Sequence, residues 1–174
     1  MEFVKAEALR AMRERPNSPD AADLAMRATA LWASSNGAST LGDAISLYER
    51  ALALDARNLP AMTGLASALV WRVTGLASKD PEGDIVRADE LSNAALVPAP
   101  DSSDAHFARA LVFFAKRQWS PAIAQAETAI AEDRNNANAY AHVGLFKMFL
   151  GRSEDGFTNV ETALRLSPRS RATL

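Results

Sequence analysis

A period of 34 residues constrains this chain more than any other feature, because self-similarity at that spacing is the mark of a stack of like units. Counted as one unit, 137–170 places Tyr140 at position 4, Val143 at 7, Gly144 at 8, Ala163 at 27 and Pro168 at 32. One period earlier, 103–136 places Ala110 at 8, Phe113 at 11, Ala122 at 20, Ala129 at 27 and Ile130 at 28. The unit 25–58 has Leu31 at 7, Ala44 at 20, Tyr48 at 24 and Ala51 at 27. Between them, 59–102 keeps Leu65, Ala66 and Leu69 at 7, 8 and 11, and regains phase at Ala88, Ala95 and Pro100 after a ten-residue insertion near 75–84. Four units thus fill 25–170, with an N-terminal helix and linker over 1–24 and a tail over 171–174.

Each unit reads as two antiparallel helices. Alanine is abundant, and apolar residues recur three and four apart, as in Leu41, Ile45, Tyr48 and Leu52. Ser18-Pro19 and Ser120-Pro121 read as N-caps followed by a first-turn proline, and Asp101–Asp104 as another cap cluster. Gly37, Gly75 and Gly151 read as helix stops. The expectation is eight helices plus one at the N-terminus. Small residues at 8, 20 and 27 mark where helix axes approach most closely, and large ones at 4, 7, 11, 24 and 28 fill the space between. Four positions break the pattern: Arg109 at 7, Trp32 at 8, Lys147 at 11 and Gly156 at 20. The insertion "GLASKDPEGD" has the composition of a solvated loop.

This arrangement resembles the tetratricopeptide (TPR) pattern, which implies an all-α fold: a right-handed superhelix of antiparallel helix pairs, an α-α solenoid. A wider resemblance runs through "RERPNSPDAADLAMRATAL", "LYERALALDARNLPAMTGLASAL", "DIVRADELSNAAL" and "ALRLSPR". These segments resemble the C-terminal TPR regions of rhizobial-type class III adenylate/guanylate cyclases. That resemblance implies a regulatory module of a signalling protein. None of the cyclase catalytic motifs is present, so it does not imply cyclase activity in this chain.

In a stack of helix pairs the first helix of each pair lines the concave face. The groove positions in the second half are strongly apolar, and surplus apolar surface marks interfaces. The candidate partner-binding residues are Val70, Trp71, Phe107, Leu111, Phe114, Leu145, Met148 and Phe149. The partner class implied is a protein or peptide segment, or a second copy of the chain. The alternative occupant is a small apolar effector, with the groove acting as a sensor for an attached output domain. For any one of these residues the competing expectation is packing on neighbouring helices. A lysine, asparagine and arginine clamp for a C-terminal carboxylate is excluded, since its positions hold Thr29, Ala33, Gly64, Asp104 and Ala108.

Composition narrows the classes further. There is no cysteine, and His106 and His142 are the only histidines, so no metal or cofactor is expected. Nineteen basic and 21 acidic side chains leave a net charge of −2, with no basic stripe beyond Arg165, Arg169 and Arg171. Nucleic acid is therefore not an expected partner. Nor is membrane insertion, since no apolar run approaches the roughly 18 residues a spanning helix needs. With no apolar signal core at residues 1–14, the expected location is the cytoplasm. Carboxylate pairs such as Glu49 with Asp55 or Glu154 with Asp155 are expected to be solvated surface charges, and "GLASKDPEG" lacks the P-loop spacing. The function expected is therefore non-catalytic. Apolar surface at either end would allow self-association.

Overall fold

The computed structural model describes residues 20–34 and 38–168, and every described element is helical. Eight helices follow in order: α1 (Ala21–Ser34), α2 (Ala38–Leu54), α3 (Leu59–Thr74), α4 (Pro81–Leu96), α5 (Ser103–Ala115), α6 (Trp119–Glu132), α7 (Ala137–Phe149) and α8 (Ser153–Leu166). The expected N-terminal helix, Ser18-Pro19 and Gly37 lie outside the described residues. The chain forms two compact units, one up to Ala95 and one from Leu96 onward.

In the first unit α1 packs on α2, and α3 packs on both. Tyr48 of α2 is buried, and its hydroxyl lies 2.9 Å from Thr29 Oγ1 of α1. The Thr29 hydroxyl donates to the Ala25 carbonyl, which leaves Tyr48 as the donor of that bond. The Tyr48 ring occupies the space where a Cβ on Gly64 of α3 would stand, so only glycine admits the ring there. Arg72 near the end of α3 forms a forked ion pair with Asp84 of α4, at 2.9 and 2.5 Å, and Ser78 donates to the same carboxylate at 2.6 Å. Burial alone would raise the Asp84 pKa. The hydrogen bonds from Arg72 and Ser78, with the positive charges of Arg72 and Arg87, together outweigh it and hold the carboxyl below its ordinary value.

In the second unit α5 packs on α6, α6 on α7, and α7 on α8. Asn136, the N-cap of α7, accepts from the Ala139 N–H and donates through Nδ2 to Ser103 Oγ. Ser103 in turn donates to the Ala129 carbonyl of α6, so one cap ties three helices. Asn58 and Ser102 cap α3 and α5 in the same way, each accepting from an N–H three residues on. Ser120, expected as a cap, is not one. Helix α6 starts two residues earlier than that cap implied, at Trp119, with Gln118 before it making no side-chain cap bond.

Small residues stand at matching places in the first helix of each pair. Ala28, Ala66, Ala110 and Gly144 are the eighth residues of α1, α3, α5 and α7, and all are buried. Helix α1 opens at Ala21, four residues ahead of the 25–58 frame, so Ala28 rather than Trp32 takes that place. The other three departures also have reasons. The Arg109 guanidinium lies 4.4 Å above the Phe113 ring, a cation–π contact. Lys147, only 13% exposed in its side chain, bridges Glu127 of α6 and Asn159 of α8. Gly156 faces Gly144 so closely that a Cβ on either would stand 2.8 Å from the other's carbonyl oxygen.

The ten-residue insertion is not one loop. Helix α3 has three residues more than α5, and α4 two more than α6. The turn 75–80 is three longer than 116–118, and 97–102 is two longer than 133–136. Pro81 through Asp84, expected in the loop, form the first turn of α4, where proline needs no N–H partner and Glu82 and Asp84 face the positive helix end.

Candidate interaction surface

The turn between paired helices has the same backbone three times. At 75–77, 116–118 and 150–152 two N–H groups reach back into the preceding helix. They run from Leu76 to the Val73 carbonyl and Ala77 to Arg72, from Arg117 to Phe114 and Gln118 to Phe113, and from Gly151 to Met148 and Arg152 to Lys147. This is the Schellman closure, and its central residue must be left-handed. Gly151 takes φ 73° at no steric penalty, whereas Leu76 and Arg117 take φ 57° with a Cβ in place. Leu76 is also 94% exposed.

Two of these turns are joined by aromatic rings in the second unit. Phe107 meets His142 edge-on at 5.1 Å, His142 meets Phe146 at 5.8 Å, and Phe146 stacks on Phe114 at 5.0 Å. Phe114 then contacts Trp119 at 5.6 Å and Phe149 at 5.9 Å, and Trp119 and Phe149 stack at 4.9 Å with their planes 9° apart. The heptad-like spacing Phe107–Phe114 on α5 and the i, i+4 pair His142–Phe146 on α7 put these rings on facing helix sides. Desolvation lowers the His142 pKa, against a smaller opposing effect from its bond to the Asn138 carbonyl. The imidazole is thus held neutral among the rings.

The eight candidate residues separate on this geometry. Val70 and Leu111 are 2% exposed and belong to the core, a correction to their placement on an open groove. The reason lies in the helices that carry them: α3 buries nine residues spread around its circumference, and Leu111 lies in a buried run with Ala110 and Val112. Phe107, Phe114 and Leu145 are half-buried, with Phe107 and Phe114 held in the ring cluster. Met148 and Phe149 are exposed, Phe149 by 55%, and Trp71 of the first unit is 41% exposed. The ring cluster brings together Phe107, Phe114 and Phe149 of the second unit; Val70 and Trp71 lie in the first unit.

Trp119, His142, Phe146 and Leu150 were missed from the sequence. Trp119 and Leu150 fall at turns, outside the first-helix positions searched. Phe146 and His142 sit one position from the groove frame, yet their i, i+4 spacing was the available signal. Among the described residues no group of three His, Cys, Asp or Glu side chains is placed to hold a metal ion. No helix among them is long and apolar enough to cross a membrane.

Solved structures share this architecture. A thermophilic TPR protein of Thermus thermophilus superposes with a TM-score of 0.74 at 19% identity, covering 95% of this chain and 82% of that one. MamA 41-end from Desulfovibrio magneticus RS-1 gives 0.58 at 16% identity, with 99% and 97% covered. A further MamA structure gives 0.55 at 18%, with 95% and 87% covered. No protein-family model matches the sequence, and no curated protein matches it. The fold is therefore the all-α TPR type of paired helices.

Proposed function

We propose that this chain is a non-catalytic protein–protein interaction module of TPR type, organised as repeats over 59–102, 103–136 and 137–170 behind a first pair that opens at Ala21, ahead of the expected 25–58 frame. The observation that carries this reading is the apolar face of the second unit. Phe149 is exposed there, held against Phe114 and Trp119, with Met148 exposed beside it. Rigid aromatic side chains bind at low entropic cost because their rotamers are already set. The partner is a protein segment or a second copy of the chain. The segments similar to cyclase TPR regions support a place in the regulatory part of a signalling protein.

Selection from an unbiased displayed peptide library on the immobilised chain tests this, with light scattering across a concentration series alongside. Peptides captured by the native chain and lost with Phe149→Glu support the module. So does a dimer that Phe149→Glu converts to monomer. No captured peptide together with a monomer at every concentration would overturn it.

A further inference from the structure

The stacking of Trp119 on Phe149 brings together two turns, 116–118 and 150–152, that lie 34 residues apart in sequence. Their arginines differ. Arg152 is paired with Asp155 at 2.7 Å, whereas the exposed Arg117 meets no carboxylate among the described residues. Arg117 also takes the left-handed backbone position that glycine takes in the next turn, at φ 57° against 73° for Gly151. Two residues further on begins an apolar platform of Trp119, Phe149 and Leu150, with Phe149 and Leu150 open to solvent.

We propose that this edge docks an acidic protein segment, with a carboxylate on Arg117 and an aromatic or aliphatic side chain on the Trp119–Phe149 face. The proposal rests on the interaction-module reading and specifies its site and partner chemistry. An apolar anchor that excludes water beside the guanidinium strengthens the neighbouring ion pair. A basic segment would meet repulsion at the same place. Phe149 and Leu150 are open to solvent, which disfavours a small molecule, since such ligands need most of their surface buried.

The test uses the full chain and two fluorescein-labelled peptides of about a dozen residues, long enough to span one docking groove. One carries Glu and Asp around Phe and Leu; the other replaces every acid by Lys. Fluorescence anisotropy should show binding of the acidic peptide alone, weakening with added salt. Arg117→Gly should weaken binding about tenfold while raising the melting temperature, because it removes both the cation and the strained φ. That opposition separates lost binding from lost folding. Arg117→Lys should retain most of the affinity, and Phe149→Ala should lose about tenfold or more, as for a central aromatic anchor.

Equal binding of the two peptides, unchanged binding by Arg117→Gly, or no binding of the acidic peptide would overturn the proposal. Library peptides that depend on Phe149 but carry no acid would overturn it and leave the interaction module standing. A dimer dissolved by Phe149→Glu, with no peptide captured, would assign the face to a second copy and overturn the acidic segment.

Discussion

Replacing Gly144 by alanine tests the packing at its closest point. The added Cβ would stand 2.7 Å from Val160 Cγ2 and 2.8 Å from the Gly156 carbonyl oxygen. The valine can turn, but the carbonyl belongs to the α8 backbone and moves only with its helix. Restoring an ordinary contact requires α7 and α8 to separate by about half an ångström, which loosens close-packed neighbours on both helices. Overpacking of this kind costs about 1–3 kcal/mol, while alanine's helix propensity returns about 1 kcal/mol. The expected net is a loss of about 1 kcal/mol, or about 2–4 °C in melting temperature for a chain of this size. Gly42→Ala in α2 is the control: its Cβ would meet nothing within 4 Å. Only the backbone effect remains there, so stability should rise by about 0.5–1 kcal/mol. The same chemical change then has opposite signs at two helical glycines, read by thermal and urea unfolding followed by circular dichroism. A Gly144→Ala variant as stable as Gly42→Ala would refute the close crossing. Gly144→Ala combined with Gly156→Ala should lose less than the sum, since one separation relieves both contacts.

Leu76→Gly should stabilise the chain by about 0.5–1 kcal/mol, because glycine relieves the left-handed strain and the exposed leucine side chain packs on little; a lower melting temperature would contradict this. Asp84 has a folded pKa below its ordinary 3.8, so its contribution is present above that pH and lost as acid takes the solution below it. Asp84→Asn should therefore flatten the acid limb of a stability–pH curve. His142 is likewise held below its ordinary 6.5, and the unfolded chain binds its proton first as pH falls. Stability should decline from about pH 6.5 downward, and His142→Phe should remove that part of the slope. Lys147→Met should be better tolerated than Lys147→Ala, since methionine keeps the buried stem while alanine loses it with the charge; equal losses would place the whole effect in the ion pair with Glu127.

Much of the fold was legible in order and composition. The recurrence of alanine or glycine at helix crossings reports a distance limit that no other residue meets, so it survives in the sequence. Ser102 announces its helix start because capping is a local bond between a side chain and an N–H three residues on. The insertion was legible in length but not in place. Extending a helix by a turn and lengthening a loop add the same count of residues. Asp80 caps α4 by accepting from the Gly83 N–H just ahead of Pro81, a local signal that was read as loop, and the Arg72–Asp84 pair ties that first turn to α3.

The candidate surface was less legible. Val70 and Leu111 share the character of Met148 and Phe149, and the sequence could not tell which pair faces water. Helix period sets which residues share a face, while the neighbours on each face are supplied from elsewhere in the chain. Lys147 and Gly156 looked like defects because their partners, Glu127, Asn159 and Gly144, lie one helix or more away. The sequence by itself determined the paired-helix repeat and its caps, which depend on interactions within a few residues. Only the tertiary structure decided which apolar side chains are core and which remain exposed, because burial depends on contacts between helices distant in sequence.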